Sequence, residues 1–529
     1  MNESVYRFES LGVLLWFRTL ALPILAICLP VGSFAATPNV TRVSPSAAAP
    51  GKVTVVTFLG DNLQGPVDLW TSFPCEVASV KSSNSTAFEL KVPRQTATCI
   101  GAVRLITTNG LSTLHLLLID SLPTVEAAKT NHSPATSQRL PGQVAVDGVC
   151  EELRSDFYRM AAKKGDRLSI EVVAQRLGSP LDPLLRLLDM QGRELAANDD
   201  APGLGADARI DFRCPKAGDY LIEVRDTRHA GGARDRYRLR VGTPLPAPLP
   251  FLISPDVAML TRPLNPLAPT NEIEPNDDGA HAQSIRLPVE LCGRFNQPGD
   301  RDMFEFQAGK GERMIFAGRT RSLGSPCDLF LQLQTTNGAK LAEANATGAD
   351  EGILTNHFDA SGTYRLVVEE LNRNGGPTFA YRVAARALKP GFALSTEMER
   401  ASVPAGDAIE IEVKAERRDY DGPIQLAVVG LPDSFSVSNA VITAKTNTTR
   451  LKIDAPADLD SGDFFLFSIV GSAVIDGATV SERTSTLPAL RSLFPELHHP
   501  PAEIDGLITL SISESKSTNP RPPQKKRRK

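Results

Sequence analysis

The chain has little of what catalytic sites are usually built from. Two tryptophans and 6% aromatic residues leave few rings for stacking against a ligand. Most of those rings, such as Phe304, Phe306, Tyr364 and Tyr381, fall at inward-looking strand positions, with Tyr158 and Phe379 ambiguous. None of the seven histidines (His115, His132, His229, His281, His357, His498, His499) stands in an HExxH pair, and no GxSxG elbow occurs. These absences remove the commonest zinc-peptidase and serine-hydrolase signatures. No CxxC occurs, so thioredoxin-like and zinc-ribbon readings have no support. No uninterrupted apolar run reaches the roughly 20 residues that span a bilayer. Long helical periodicity is almost missing.

What is present suits a β protein. Forty prolines and 39 glycines fit many short strands joined by turns. With 42% apolar and 22% charged residues, packed cores are expected and global disorder is not. A chain of 529 residues implies about three or four domains. Residues 1–36 resemble an export signal: Arg7 and Arg18 flank the apolar Leu11–Phe17, Leu20–Val31 is apolar again, and Ser33-Phe34-Ala35 offers small residues for cleavage. The alternative is a retained membrane anchor, against which Arg18, Pro23 and Pro30 interrupt the run. Glu3 and Glu9 are atypical of such a signal. Cleavage would remove Cys28 and leave Cys75, Cys99, Cys150, Cys214, Cys292 and Cys327. In an oxidising compartment these suggest disulfides Cys75–Cys99, Cys150–Cys214 and Cys292–Cys327; the alternative is buried free thiols. The net charge is −4, and 515–529 is basic throughout, with Lys516, Arg521 and Lys525–Lys529. The rest of the chain is therefore more acidic than the total. Nucleic acid is not an expected partner, and the basic run suits an anionic surface or nothing specific.

A duplication sets the map. Gly178-Ser179-Pro180-Leu181-Asp182 returns as Gly324-Ser325-Pro326-Cys327-Asp328. At the same offset Asp156 matches Asp302, Gly165 matches Gly311 and Gly192 matches Gly338; after a two-residue slip Tyr237-Arg238 matches Tyr381-Arg382. The repeated module is roughly 110 residues long, the size of a domain. Copy one is expected over 124–242 and copy two over 271–387, separated by a Pro-rich, semi-rigid linker over 243–270. Short alternating segments such as Val53–Phe58 and Ala102–Thr107, with a hairpin at Asn109-Gly110, predict a further sandwich over 38–121. Its Pro, Gly and Gly60-Asp61-Asn62-Leu63 pattern resembles the immunoglobulin-like domains of plexins and bacterial surface proteins. Ile409-Glu410-Ile411-Glu412-Val413 opens another over 390–488, similar to immunoglobulin or fibronectin-like sandwiches. Residues 489–529 read as a disordered basic tail. The expected fold class is all-β, in tandem sandwiches.

The densest chemistry lies at the head of copy two: Asn271-Glu272-Ile273-Glu274-Pro275-Asn276-Asp277-Asp278. In an extended backbone Glu272, Glu274 and Asn276 point one way. Asp300-Arg301-Asp302 follows just before an alternating strand. Oxygen-only ligands favour calcium over zinc; the plain alternative is a solvated acidic turn. This linker, with Gly293-Arg294-Phe295, Gly299-Asp300-Arg301-Asp302-Met303-Phe304 and Gly362-Thr363-Tyr364, resembles the bacterial pre-peptidase C-terminal domain. That family is a jelly-roll β-sandwich similar to collagenase collagen-binding domains. The resemblance covers essentially all of copy two and most of copy one. It implies calcium held by Glu272, Glu274, Asn276, Asp277, Asp300 and, less directly, Asp302. Copy one has Asn131-His132-Ser133-Pro134 there and no acidic cluster, so no calcium is expected in it. Asn198-Asp199-Asp200 reads as a polar turn. The collagen ligand does not carry over, because no exposed aromatic stripe is present.

Together these features predict an exported, non-catalytic, multi-domain binding, adhesion or scaffold protein. It would be secreted, periplasmic or at the cell surface, and would bind an envelope or extracellular protein or carbohydrate. The alternative is an accessory or targeting component of a secreted peptidase system.

Overall fold

Alternation of apolar and polar residues writes the strands directly. In Ala408–Arg418 the side chains of Ile409, Ile411, Val413 and Ala415 are buried while Glu410 and Glu412 face out, as a half-buried strand requires. A computed structural model describes residues 37–63, 67–80, 86–242, 249–346, 351–497 and 499–514. The expected signal peptide and the basic run 515–529 lie outside the described residues. The described chain is nearly all β, arranged as tandem β-sandwiches.

Each copy of the duplicated module is two five-stranded sheets of identical order. In copy one the sheets run Thr124–Glu126, Val144–Val149, Arg236–Gly242, Arg167–Val173, Arg209–Arg213 and Gln138–Arg139, Asp156–Ala162, Gly218–Asp226, Pro183–Leu188, Glu194–Asn198. In copy two they run Pro269–Asn271, Val289–Arg294, Ala380–Ala387, Arg313–Arg319, Ile353–His357 and Gln283–Ser284, Arg301–Ala308, Gly362–Glu370, Leu329–Thr335, Lys340–Asn345. The Gly-Ser-Pro-x-Asp segment makes the same turn twice, with Gly178 and Gly324 both at φ 77°, a left-handed conformation that glycine adopts freely.

Before copy one, Asn39–Ser44, Val53–Asp61, Thr86–Lys91 and Glu76–Val80 form one sheet of a sandwich whose other sheet centres on Cys99–Thr107. The Asn109-Gly110 hairpin forms, pairing Ile106 with Leu111. After copy two, a ten-stranded assembly includes Ala408–Arg418 and Phe464–Ile475.

Three expectations are corrected. The Pro-rich linker is not a free spacer: Leu249–Phe251 pairs in parallel with the start of Cys99–Thr107, and Pro255–Thr261 is a helix capped by Ser254. An edge position tolerates the proline within that strand. Much of 489–529 is folded: Leu487–Leu493 is a helix, and Ile508–Ser513 pairs with both Phe464–Ile475 and Arg400–Pro404. Its alternating apolar residues close the last sandwich, so that unit extends past 488. Finally, the six described cysteines are free thiols. Cys150 lies beyond the Arg236 end of Arg236–Gly242 and Cys214 beyond the Gly242 end, too far apart to bridge. Cys327 is in the core of copy two, whereas Cys292 lies on the face of its strand opposite buried Leu291. Cys75 and Cys99 share one core as free thiols.

Neighbouring sandwiches meet through two kinds of contact. Ala102, Leu114, Leu116, Val257, Leu490, Phe494 and Leu507 form one apolar cluster joining the first sandwich, the linker helix and the C-terminal helix. Beside it, buried Arg104 pairs with Glu399 and reaches Thr509. The first sandwich meets copy one through charge. Arg240, fully buried, bonds Asp120 at 3.0 Å and Glu171 at 2.6 Å; Arg238 bonds Asp147 at 2.8 Å. Copy two has Arg382 and Ala384 at the matching strand positions, Arg382 exposed and Ala384 half-buried. At one corner, the hairpin Thr108–Gly110 lies between the first and last described stretches. Glu514 N donates to Thr108 O at 2.8 Å, and a Cβ on Gly110 would sit 3.5 Å from Thr37 Cγ2.

Candidate metal centre

Parallel edge pairing brings the acidic residues of copy two together. Pro269–Asn271 runs beside Val289–Arg294, which carries Glu272 past Gly293: Glu272 N donates to Cys292 O at 3.0 Å and Glu272 Oε1 accepts from Arg294 N at 2.8 Å. Further on, Met303 N donates to Asn276 O at 2.9 Å, fixing the linker against the start of the strand that bears Asp302. Asp302 and Asn276 are fully buried and Asp300 nearly so, while Glu274 and Asp277 are exposed.

The oxygens converge. Carboxylate atoms of Glu274, Asp300 and Asp302 lie within 4.8 Å of one another. The Tyr381 hydroxyl is 2.7 Å from Asp302 Oδ2 and 3.2 Å from Glu272 Oε2, so one proton serves two carboxylates. Asp302 Oδ1 and both amide atoms of Asn276 are buried without a hydrogen-bond partner among the described residues. Asn296 braces the rim, its Nδ2 donating to Glu274 Oε1 at 3.1 Å. Asp278 does not take part. It caps a turn through Ala280 N and His281 N, and those bonds hold its carboxyl below the usual range.

Electrostatics register the crowding. Burial, then the Glu272 charge, pushes Asp302 up to about 8. Burial also raises Glu272. Asp277 rises through lost hydration and through its neighbour Asp300. A cluster of carboxylates whose pKa values are raised by one another stabilises a bound cation, and oxygen-only donors suit a hard one. The residues therefore fit calcium: Glu274, Asp300 and Asp302 as carboxylates, Asn276 as a buried amide oxygen, with Glu272 and Asp277 at the margin.

Sequence reasoning missed Tyr381 and Gly293. A Cβ on Gly293 would fall 2.3 Å from both Glu272 Oε2 and the Tyr381 hydroxyl, and one on Gly148 would fall 2.3 Å from Tyr237 Cζ. The matched Gly148/Gly293 and Tyr237/Tyr381 pairs were the available signal. Gly293→Ala is expected to displace Tyr381 and cost about 1–3 kcal/mol by overpacking, read as a lower urea midpoint than that of the wild type; an unchanged midpoint would show that the strand yields without strain.

Copy one shows the same frame with different chemistry. Phe157 N donates to Asn131 O at 2.7 Å, as Met303 N does to Asn276 O. Ala128 N donates to Gln138 Oε1 at 2.7 Å, as Ile273 N does to Gln283 Oε1 at 2.8 Å. This register sets Ala127, Lys129 and His132 at the positions of Glu272, Glu274 and Asp277, and Arg154 at that of Asp300. Tyr237 donates to Asp156 Oδ2, and His132 Nδ1 lies 3.0 Å from Asp156 Oδ1. Asn198 works as a turn residue, its Oδ1 accepting from Arg209 N at 2.8 Å. Tyr158 is buried, its hydroxyl bonded to that of Tyr237.

Residues 154–226, in copy one, match the family described as Bacterial pre-peptidase C-terminal domain. A probable subtilase-type serine protease of Deinococcus radiodurans is 25% identical over 238 residues, 44% of this chain and 32% of the relative. The chain thus spans about a third of that relative's length. Among solved structures, the SGBP-B protein of the Bacteroides ovatus mixed-linkage glucan utilization locus, in complex with a mixed-linkage heptasaccharide, aligns at 11% identity over 63% of this chain and 74% of that one, with a TM-score of 0.17. The ICAM-5 D1–D4 ectodomain fragment aligns at 12% identity over 84% and 96%, with a TM-score of 0.13. The similarity to a named family rests on copy one, whereas the crowded carboxylates lie in copy two.

Proposed function

We propose that this is an exported, non-catalytic binding or adhesion-scaffold protein of the bacterial envelope or exterior, in which calcium stiffens the entry into copy two. The observation that carries the calcium reading is the buried, unpartnered Asp302 Oδ1 beside the carboxylates of Glu274 and Asp300; the Asn276 amide is unpartnered too, as is Asn131 in copy one. When bound, calcium supplies the positive charge that lets these groups ionise together. Glu274 and Asn276 would hold it from the linker, and Asp300 and Asp302 from the strand side.

The non-catalytic reading is supported by the state of the reactive groups. Burial pushes the Cys150 and Cys327 thiols far up, away from the thiolate that nucleophilic attack needs. Burial and nearby arginines hold His115 down at about 4. His281 and His357 pair with surface aspartates. The partner class proposed is an envelope or extracellular protein or carbohydrate.

A second reading, an accessory or targeting component of a secreted peptidase system, is favoured by the family match and by the subtilase-type relative. Affinity capture from a secreted fraction separates the two: a peptidase eluting with the chain supports the accessory role, and an envelope component supports the scaffold. For calcium, the full chain at about 100 times Kd should gain about 2.7 kcal/mol of stability over chelated protein. Asp300→Ala should erase that gain. A melting curve indifferent to calcium and chelator would sink the proposal.

A further inference from the structure

We infer that in copy one His132 stands in for the metal ion: the imidazole occupies the cation position of the shared frame and makes copy one calcium-independent. The inference rests on the calcium reading of copy two. Its evidence is the comparison of one aspartate in two settings. In both copies a core tyrosine donates to Oδ2 of that aspartate, Tyr237 to Asp156 and Tyr381 to Asp302. Oδ1 differs. In copy two it has no hydrogen-bond partner among the described residues, and in copy one it is 3.0 Å from His132 Nδ1.

The surrounding substitutions all move charge in one direction. At the positions of Glu272, Glu274, Asp277 and Asp300, copy one has Ala127, Lys129, His132 and Arg154. Three acids are replaced by basic groups and one is deleted. The frame needs positive charge opposite its buried aspartate. Copy two collects anions that call for an external cation, and copy one places an imidazole nitrogen 3.0 Å from the matching carboxylate oxygen. The groups facing His132 and Asp156 are Tyr237, Tyr158, Cys150 and Glu151, none of them a cation. Arg154 turns outward to Glu151 at 2.8 Å, which leaves His132 alone in the ion's place. The consequence is asymmetric control: calcium sets the order of one linker, and the other is set permanently by covalent sequence.

The test uses the full chain with the copy-two site disabled by Asp277→Ala and Asp300→Ala. Into it are placed Ala127→Glu, Lys129→Glu, His132→Asp and Arg154→Asp. Terbium luminescence and calcium titration calorimetry count bound ions. The disabled parent should bind none at copy one, and the graft should regain one equivalent. A cooperatively melting graft that binds none overturns the inference. If the graft does not fold, His132→Asn decides. It should lower Tm by about 2–6 °C to the same extent in calcium and in chelator, and an unchanged melting curve overturns the inference. A wild-type chain that binds no calcium refutes the reading of copy two and removes the ground of this one, whereas a calcium-binding wild type beside a folded, ion-free graft refutes this one alone.

Discussion

Arg240→Ala is expected to cost about 3–5 kcal/mol, because it strands two buried carboxylates. Arg240 is fully buried between Asp120 of the first sandwich and Glu171 of copy one, at 3.0 and 2.6 Å. Glu171 is itself fully buried and keeps Arg176 at 2.7 Å; Asp120 keeps two longer contacts, Arg238 at 3.5 Å and Leu122 N at 3.4 Å. Removing the guanidinium thus leaves Asp120 the worse compensated. The loss should appear as a lower urea midpoint together with a first sandwich that is cut more readily by protease at 120–124. The control is Arg193→Ala, whose exposed pair with Asp189 should change stability by about 0.5 kcal/mol or less. An Arg240→Ala loss no larger than that control would mean the two sandwiches do not depend on this network.

The second large effect is a pH dependence of calcium affinity. Asp302 sits at about 8 in the metal-free protein, against an ordinary value of 3.8. Its folded-state pKa is raised, so the proton favours the folded state. That stabilisation is fully present below about 4 and declines as pH rises, until it is lost above about 8. In the proposed site calcium would take the ionised carboxylate and so would have to displace the proton below that point. Affinity should therefore climb about 50-fold from pH 6 to pH 8 and then level off, with about one proton released per ion at pH 6 to 7. The chelated protein should lose Tm over the same interval, while the calcium-loaded protein holds it. Calorimetry in buffers of different ionisation enthalpy counts the protons. An affinity flat from pH 6 to 8 contradicts the prediction, and Asp302→Asn should produce that flat profile while weakening binding.

The strands were readable because their alternation reports which face meets the core: Leu168, Ile170 and Val172 are buried as expected. The same alternation misled for the other face. Glu171, Arg238 and Arg240 lie on that face and are buried, the two arginines reaching Asp120 of the first sandwich. Period-two patterning carries no information about what covers the polar side. The site's acids were legible because oxygen donors cluster in sequence at 272–277 and 300–302. Tyr381 was not, since a core tyrosine and a site tyrosine look alike until Gly293 is known to admit its hydroxyl. The cysteine pairing failed for a related reason. Even spacing along the chain says nothing about which end of a strand each thiol occupies, and Cys150 and Cys214 lie beyond opposite ends. The strand Ile508–Ser513 was hidden by the composition of its surroundings, where Pro, Ser and Lys dominate.

The hairpin Thr108–Gly110 of the first sandwich is tied to the last sandwich at two points, Glu514 N to Thr108 O and Leu111 N to Ser402 Oγ. A load applied through Ile508–Ser513 would therefore reach the first sandwich through these bonds. Ile508–Ser513 would share that load with Phe464–Ile475 and Arg400–Pro404, the strands it pairs with.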